Sequence, residues 1–345
     1  MDMANSSTES LPLLWRDDHL AILDQRLLPQ EVHYIEARDY HTVTAAIRDL
    51  AVRGAPAIGI AAAYGVVLAA RALGVDGPIA LSQMQAALDE MEAARPTAVN
   101  LAWALRYMAQ QLEQGATADE LLKTALQIHQ DERENNATMA RHGAELIEPG
   151  SRVLTVCNTG GLATGGSGTA LAVIVEAWRQ ERLVEAFSAE TRPWFQGARL
   201  TTWELQNAGV AHRLVVDSAV PWLMKNQGID WVIVGADRVV ANGDAANKIG
   251  TYAAALAAKA HGAKTMVVIP TTTLDLNTAE GSQIPIEERS AEEITAPGGR
   301  PLAPEGTRVW NPVFDVTPAH LIDALVTERG VVLEPNREKI ARLMS

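Results

Sequence analysis

Residues 152–180 read RVLTVCNTGGLATGGSGTALAVIVEAWRQ. An apolar, β-rich run stops at Val156, a loop carrying Gly160, Gly161, Gly165, Gly166 and Gly168 follows, and a helical pattern begins near Thr169. Strand, glycine loop and helix in that order make the first half of a βαβ unit. The alternation continues downstream. β-Rich runs stand at LVEAFSA (183–189), HRLVV (212–216), DWVIVGA (230–236) and KTMVVI (264–269). Between them lie the helical patterns GARLTTWELQNA (197–208), AVPWLMKNQ (219–227) and IGTYAAALAAKAHG (249–262). This predicts a parallel sheet with helices on both faces, whose functional loops sit at the carboxyl ends of the strands.

Upstream, to about residue 145, the rhythm is helical. Apolar residues recur three and four apart in HTVTAAIRDLAV (41–52), IGIAAAYGVVLAARAL (58–73), ALSQMQAALDEMEAA (80–94), NLAWALRYMAQQLEQ (100–114) and residues 118–147. RGAP, GVDGP, RPTAV and GATA break them. The first forty residues alternate enough at LLWRDD, HLAILDQ and EVHYIEAR to predict a small antiparallel sheet ahead of the helices. The expected organisation is therefore a mainly helical N-terminal domain over 1–145 and an α/β domain over 146–345. TAPGGRPLAPEG (295–306) reads as a surface connection.

Composition narrows the function. The chain has 345 residues, 48 % apolar and 21 % charged, with a formal net charge of −13 from 29 Lys+Arg against 42 Asp+Glu. A surface that acidic repels nucleic acid and anionic membrane. An anionic substrate must then be held by a few local cations and backbone N–H groups. Cys157 is the only cysteine, so an internal disulfide and a CxxC motif are both excluded. The first thirty residues lack a basic region followed by an apolar block, so no secretory leader is expected. APAIGIAAAYGVVLAA (55–70) is shorter than the ~20 residues a bilayer needs and reads as a buried helix. A cytoplasmic protein is expected.

The glycine loop fits neither nucleotide template. A dinucleotide fingerprint needs a third small residue after Gly166-Ser167-Gly168, where Leu171 stands, and a P-loop needs a lysine, of which there is none between Ser151 and Gln180. What remains is a loop that lets a ligand approach the backbone and feeds a helix N-terminus, a good place for an anion. An inert buried thiol is the plainer reading of Cys157. Its position at a strand end before the loop argues for function. In VIVGADRVVANGDAANKIG (232–250), Asp237 also follows an apolar run directly, and a poorly solvated carboxylate there suits acid or base work. Asn242, Asp244, Asn247 and Lys248 come just before a helix, either as caps or as a site for a phosphorylated ligand. Arg53 in AVRGAPAIG and Arg95 in EAARPTAVNLAW stand in punctuated loops between helices, as surface charges or as anion forks. AETRPWFQGARLTTWEL adds Glu190, Arg192, Gln196 and Arg199 between a strand and a helix.

Together RGAPAIG, RPTAVNLAWAL, LTVCNTGGLAT, ETRPWFQGARLTTWEL, VIVGADRVVANGDAANKIGTY, IPIEER and VWNPVFDVTPAHLI resemble the methylthioribose-1-phosphate isomerases of methionine salvage, in family order from residue 53 to about 329. That family is related to regulatory subunits of a eukaryotic translation-initiation exchange factor and to ribose-1,5-bisphosphate isomerases. The resemblance implies a helical N-terminal domain, a Rossmann-like C-terminal domain, a homodimer, and neither metal nor organic cofactor. The implied reaction converts the aldose 5-methylthioribose 1-phosphate to the ketose 5-methylthioribulose 1-phosphate. Matched by motif, Cys157 and Asp237 are the implied catalytic pair, and Arg53, Gly54, Ala55, Arg95, Gln196, Asn247 and Lys248 the implied substrate-binding set. The chain departs from the family at Val156, where a histidine is usual, at Gly161 and Ser167 in the loop, and at Ser218, where an asparagine is usual. The two loop changes bear on the group accepted at the sugar's 5-position. A non-catalytic sugar-phosphate sensor would keep the anion site but has no need of Cys157 and Asp237 together.

Overall fold

The computed structural model describes residues 11–96 and 98–345. The opening ten residues of the stretch read as leaderless, and Thr97 of the RPTAV break, lie outside the described residues. The chain forms two compact units. One holds the residues up to Arg133 together with Gly161–Gly166 and Trp203–Gly209, and the other Glu134–Gly160, Ser167–Thr202 and Val210–Ser345.

In the first unit, β1 (Leu13–Arg16), β2 (His19–Leu23) and β3 (Tyr34–Ala37) form the expected antiparallel sheet, with Leu13 opposite Ile22 and Ile22 opposite Ile35. The helices follow: α1 (Tyr40–Arg48), α2 (Ala55–Ala72), α3 (Leu81–Ala94), α4 (Val99–Glu113) and α5 (Ala118–Glu145), of which the part up to Arg133 belongs here. The α2 helix is buried without a break from Ala57 to Ala70, because alanine and glycine let neighbouring helices close on it from every side. It is long and apolar enough to cross a membrane by length and composition, but 78% of it is buried inside the fold. Leu13, Ile22, Val43, Ile47, Tyr64, Met84 and Met91 pack with it in one core.

The second unit is built on a seven-stranded sheet. Its strands are β4 (Ser151–Thr155), β5 (Leu183–Ala189), β6 (His212–Val215), β7 (Trp231–Val234), β10 (Lys264–Val268), β13 (Ala324–Thr327) and β14 (Gly330–Leu333). They lie in the order β14-β13-β10-β7-β4-β5-β6, all parallel except β14. The helices α6 (Ala170–Arg179), α8 (Val220–Gln227) and α9 (Thr251–His261) fall between these strands in the chain, and α11 (Arg337–Met344) ends it. The α7 helix (Thr202–Asn207) lies almost wholly in the first unit. The fold is thus α/β, a helical N-terminal part with a small antiparallel sheet followed by a Rossmann-like parallel sheet.

A second sheet was not anticipated. β8 (Arg238–Val240), β9 (Ala245–Lys248), β11 (Leu274–Asp275) and β12 (Phe314–Thr317) pair in the order β11-β8-β9-β12. Asn247 and Lys248, placed above just before a helix, lie on a buried strand, opposite Asp315 and Phe314 of β12. Nor does Asp244 cap that helix. Its carboxylate accepts from the backbone N–H groups of Gly281 (2.9 Å) and Ala319 (2.9 Å), tying three loops together. The cap of α9 comes instead from Asp315, which accepts from the N–H groups of Gly250 (2.7 Å) and Tyr252 (3.1 Å). A short α10 (Glu292–Thr295) precedes the 295–306 connection, whose residues are largely exposed as expected.

Two predictions follow from this packing. Gly54 has φ +93°, and a Cβ there would lie 2.2 Å from the carbonyl oxygen of Ala163. Gly54→Ala should lower the unfolding free energy by at least roughly 2 kcal/mol in urea titrations, since strain and backbone overlap add. An unchanged midpoint would disprove it. Burial pushes the Asp315 carboxyl up from 3.8 to about 6, against the two backbone N–H groups and the Lys248 charge. A raised carboxyl pKa means that the folded state holds the proton to higher pH, so its contribution is full below pH 4 and lost as pH rises through 6. Wild type should lose up to about 3 kcal/mol relative to Asp315→Asn between pH 4 and 7, at about 1.4 kcal/mol per unit. Parallel pH–stability curves for the two proteins would refute it.

Candidate active site

The sheet changes direction at β4. From β4 the chain adds β5 and β6 on one side, then returns to add β7, β10 and β13 on the other. By the right-handed crossover rule, connections on the two sides leave opposite faces, and in open sheets of this kind ligands bind at the switch point, outside the carboxyl ends of the strands, here β4 and β7. Leu154 of β4 is paired with Val232 of β7, and Cys157 and Asp237 follow these strands within a few residues. The structure thus brings both sequence-predicted catalytic residues to one edge of one sheet. Cys157 is 6 % exposed and Asp237 is half-buried, its N–H bonded to the carbonyl of Ala246 at 2.9 Å.

Cys157 has φ +71°. A side chain in the left-handed region costs roughly 1–2 kcal/mol and persists only where neighbours hold it. Two threonines do so. The Cys157 N–H donates to Thr191 Oγ1 (2.8 Å), and Thr201 Oγ1 donates to the Cys157 carbonyl (2.6 Å). Thr191 follows β5 and is itself left-handed, at φ +61°, as is Phe195 at +58°. Asp217 accepts from the N–H groups of Thr191 (2.8 Å) and Arg192 (2.7 Å), pinning that turn. Burial and the Asp217 charge hold the neighbouring Glu190 above the ordinary glutamate range.

The rest of the 189–201 loop is packed without slack. A Cβ on Gly197 would fall 1.7 Å from the carbonyl oxygen of Ala189. The Arg192 guanidinium lies 4.7 Å over the Phe195 ring and that of Arg199 4.3 Å over Trp194. Gln196, at the start of a π-helical turn over Gly197–Thr201, is buried with its Oε1 bonded to no protein group. A buried acceptor in that state is costly unless a ligand satisfies it, and π turns are frequent at functional sites. On β9, Asn247 Nδ2 donates to Thr251 Oγ1 (2.9 Å), whose hydroxyl donates to the Lys248 carbonyl (2.7 Å). Lys248 is buried, with its Nζ 4.0 Å over the Phe314 ring.

In the first unit Arg53 is buried and Gly54 and Ala55 open α2, with Pro56 in the first turn where a missing N–H costs nothing. Gly54 sits against Ala163, so the glycine loop and the α2 N-terminus meet backbone to backbone. Two further bonds hold that part of the loop. Gln25 Nε2 donates to the Leu162 carbonyl (2.7 Å) and His129 Nε2 to the Gly165 carbonyl (2.6 Å). A carbonyl can only accept, so His129 carries its proton on Nε2 and its Nδ1 accepts from the Tyr64 hydroxyl (3.1 Å). Burial keeps that imidazole below the usual histidine range. Arg95 is half-buried at the end of α3. Among the described residues no group of three or more His, Cys, Asp or Glu side chains is placed to hold a metal ion. Sequence reasoning passed over Thr191, Thr201, Asp217, Gln25 and His129, because each acts on backbone atoms far away in the chain.

The family model described as the initiation factor 2 subunit family matches residues 51–334. A methylthioribose-1-phosphate isomerase of Thioalkalivibrio sulfidiphilus is 52 % identical, with 96 % of each chain covered. One of Alkalilimnicola ehrlichii is 56 % identical, covering 93 % of each. Among solved structures, 5-methylthioribose 1-phosphate isomerase from Pyrococcus horikoshii OT3 superposes with a TM-score of 0.89 at 36 % identity, over 100 % of this chain and 99 % of that one. A chain described as translation initiation factor eIF-2B subunit delta from A. fulgidus gives 0.85 at 38 %, over 97 % and 99 %. The chain belongs to the initiation factor 2 subunit family and, within it, to the methylthioribose-1-phosphate isomerases.

Proposed function

We propose that the chain converts 5-methylthioribose 1-phosphate to 5-methylthioribulose 1-phosphate in methionine salvage, with Cys157 and Asp237 in the chemical step. The arrival of these two residues at the ends of adjacent parallel strands, at the switch point of the sheet, carries the reading. The substrate's anomeric oxygen bears the phosphate, so its ring does not open spontaneously to an aldehyde. In the proposed reaction Asp237 donates a proton to the ring oxygen as the C1–O bond breaks. Hydrogen passes from C2 to C1, and the C2 hydroxyl proton returns to the carboxylate. Cys157 either ferries that hydrogen as a proton or walls an apolar path for a hydride. Deuterium from solvent at C1 of the product marks the first route and its absence the second.

Arg53 and Arg95 are proposed to bind the anionic substrate, with backbone N–H groups at Gly54 and Ala55 near a helix N-terminus suited to an anion. Gln196 and Asn247 are proposed to bind sugar hydroxyls, a role that suits the unpartnered Gln196 Oε1. The chain is proposed to work in the cytoplasm as a homodimer. Val184 on β5, Leu214 and Val216 on and beside the edge strand β6, and Trp222 on α8 are exposed, and large apolar side chains left exposed support that state.

Purified protein should turn over 5-methylthioribose 1-phosphate with no added metal or nucleotide. Loss of activity in EDTA, restored by a divalent ion, would contradict this. Arg53→Ala and Arg95→Ala should each weaken substrate binding by about 1.5–3 kcal/mol, the range for hydrogen bonds to charged groups. Unchanged kcat and KM in both variants would make these arginines structural. Asp237→Asn keeps the shape but cannot cycle a proton, so kcat should fall at least ~10²-fold with KM little changed. Cys157→Ser should also cut kcat while leaving the melting temperature within a few degrees. Near-normal turnover of both would show that this pair does not carry the chemistry.

A further inference from the structure

We propose that Thr191 and Thr201 are positioning residues for the reaction, a two-sided hydroxyl clamp that sets where the Cys157 sulfur stands. The inference rests on the reading of Cys157 as a participant in the chemical step, and extends it to residues that touch no substrate. The geometry that carries it is local and complete. Leaving β4, the chain turns at Cys157 into a backbone conformation that side-chain-bearing residues avoid. In that conformation the direction of Cα–Cβ, and so the reach of Sγ, depends on the orientation of the peptide groups on either side. Thr191 grips the N–H of Cys157 and Thr201 its carbonyl, at 2.8 and 2.6 Å.

Proton bookkeeping makes each grip one-directional. The Thr191 hydroxyl donates to the Ala189 carbonyl (3.0 Å), which leaves its lone pair to the Cys157 N–H. The Thr201 hydroxyl spends its proton on the Cys157 carbonyl and accepts from Asn158 Nδ2 (3.4 Å). Both threonines are fully buried, so water does not replace either bond. Their β-branching restricts χ1 and holds each hydroxyl in place. Asp217 completes the device, for its two carboxylate oxygens fix the backbone on which Thr191 is carried. Two neighbouring elements thus converge on the two peptide groups that flank Cys157, the loop after β5 and the π turn before α7, and the segment after β6 braces the first of them. A fold that needed only a turn there would place glycine at 157.

The test uses Thr191→Val and Thr201→Val, which keep shape and lose the hydroxyl, with Thr191→Ser and Thr201→Ser as rescuing partners. Two quantities are read on each: kcat and KM for 5-methylthioribose 1-phosphate, and the pH dependence of Cys157 alkylation by iodoacetamide, which is clean because the chain has one cysteine. The valine variants should lower kcat by about 10-fold or more with KM within about 2-fold, as expected of a small misplacement of a reacting group. They should also shift the alkylation profile, and the serine variants should bring both readouts back toward wild type. Folded valine variants with wild-type kcat and alkylation would overturn the clamp. So would kcat losses that track melting temperature and that serine does not rescue. If Cys157→Ser retains full turnover, the catalytic reading of the thiol fails on its own, and alkylation still decides whether the threonines set its position. Where a valine variant does not fold, Asp217→Asn carries the same prediction through the more exposed end of the device, and an unchanged alkylation profile there overturns it.

Discussion

Parallel pairing of β4 with β5 on one side and β7 on the other is the constraint on which the rest of the catalytic unit depends. In an open sheet, ligands bind outside the carboxyl ends of the strands where the strand order reverses, and the residues that follow β4 and β7 stand at that place. Val153, Leu154 and Thr155 are buried because the strand is interior, and Cys157 inherits its position from them. Asp237 inherits its own from β7 in the same way, since Trp231 through Val234 are all buried and the next polar side chain lies beyond the strand.

Close backbone approach is the second theme, and it explains the glycines better than flexibility does. Gly54 admits the carbonyl of Ala163, Gly161 that of Gly166, Gly168 that of Thr159, and Gly197 that of Ala189. In each case a methyl group would overlap a backbone oxygen. The glycine loop is therefore a tightly folded strap, pinned at Leu162 by Gln25 and at Gly165 by His129. The Tyr64–His129–Gly165 series has one proton arrangement that satisfies every member, which makes it a positional constraint on the loop.

Local strain is also found where the chemistry is proposed to occur. Cys157, Thr191 and Phe195 are left-handed without being glycine, and each follows β4 or β5 in the chain. Such conformations cost about 1–3 kcal/mol each and must be offset by surrounding bonds. Asp217, Thr191 and Thr201 supply those bonds at the site, while the apolar core around Phe187, Val232, Val234 and Leu325 stabilises the sheet beneath. Asp315 is a comparable case at the start of α9. A carboxylate is kept largely dry so that it can hold two N–H groups, and its raised pKa is the cost.

Periodicity in the sequence determined the large elements. LVEAFSA is β5 from end to end, the run from Ala57 to Ala70 is buried without interruption, and the lone cysteine was placed at a strand terminus from its neighbours alone. These features are local, because a strand or helix declares its burial every second or every three to four residues. The four-stranded second sheet made no such declaration: its strands are two to four residues long, and β9 finds β12 across more than sixty positions. That is why the sequence shows Asn247 and Lys248 only as polar residues before a helix and gives no sign of Asp315 as the cap of α9. The grip of Thr191 and Thr201 on Cys157 was equally invisible. A hydroxyl bonded to a distant peptide group leaves no period and no motif, and only the tertiary path of the chain decides which peptide it meets.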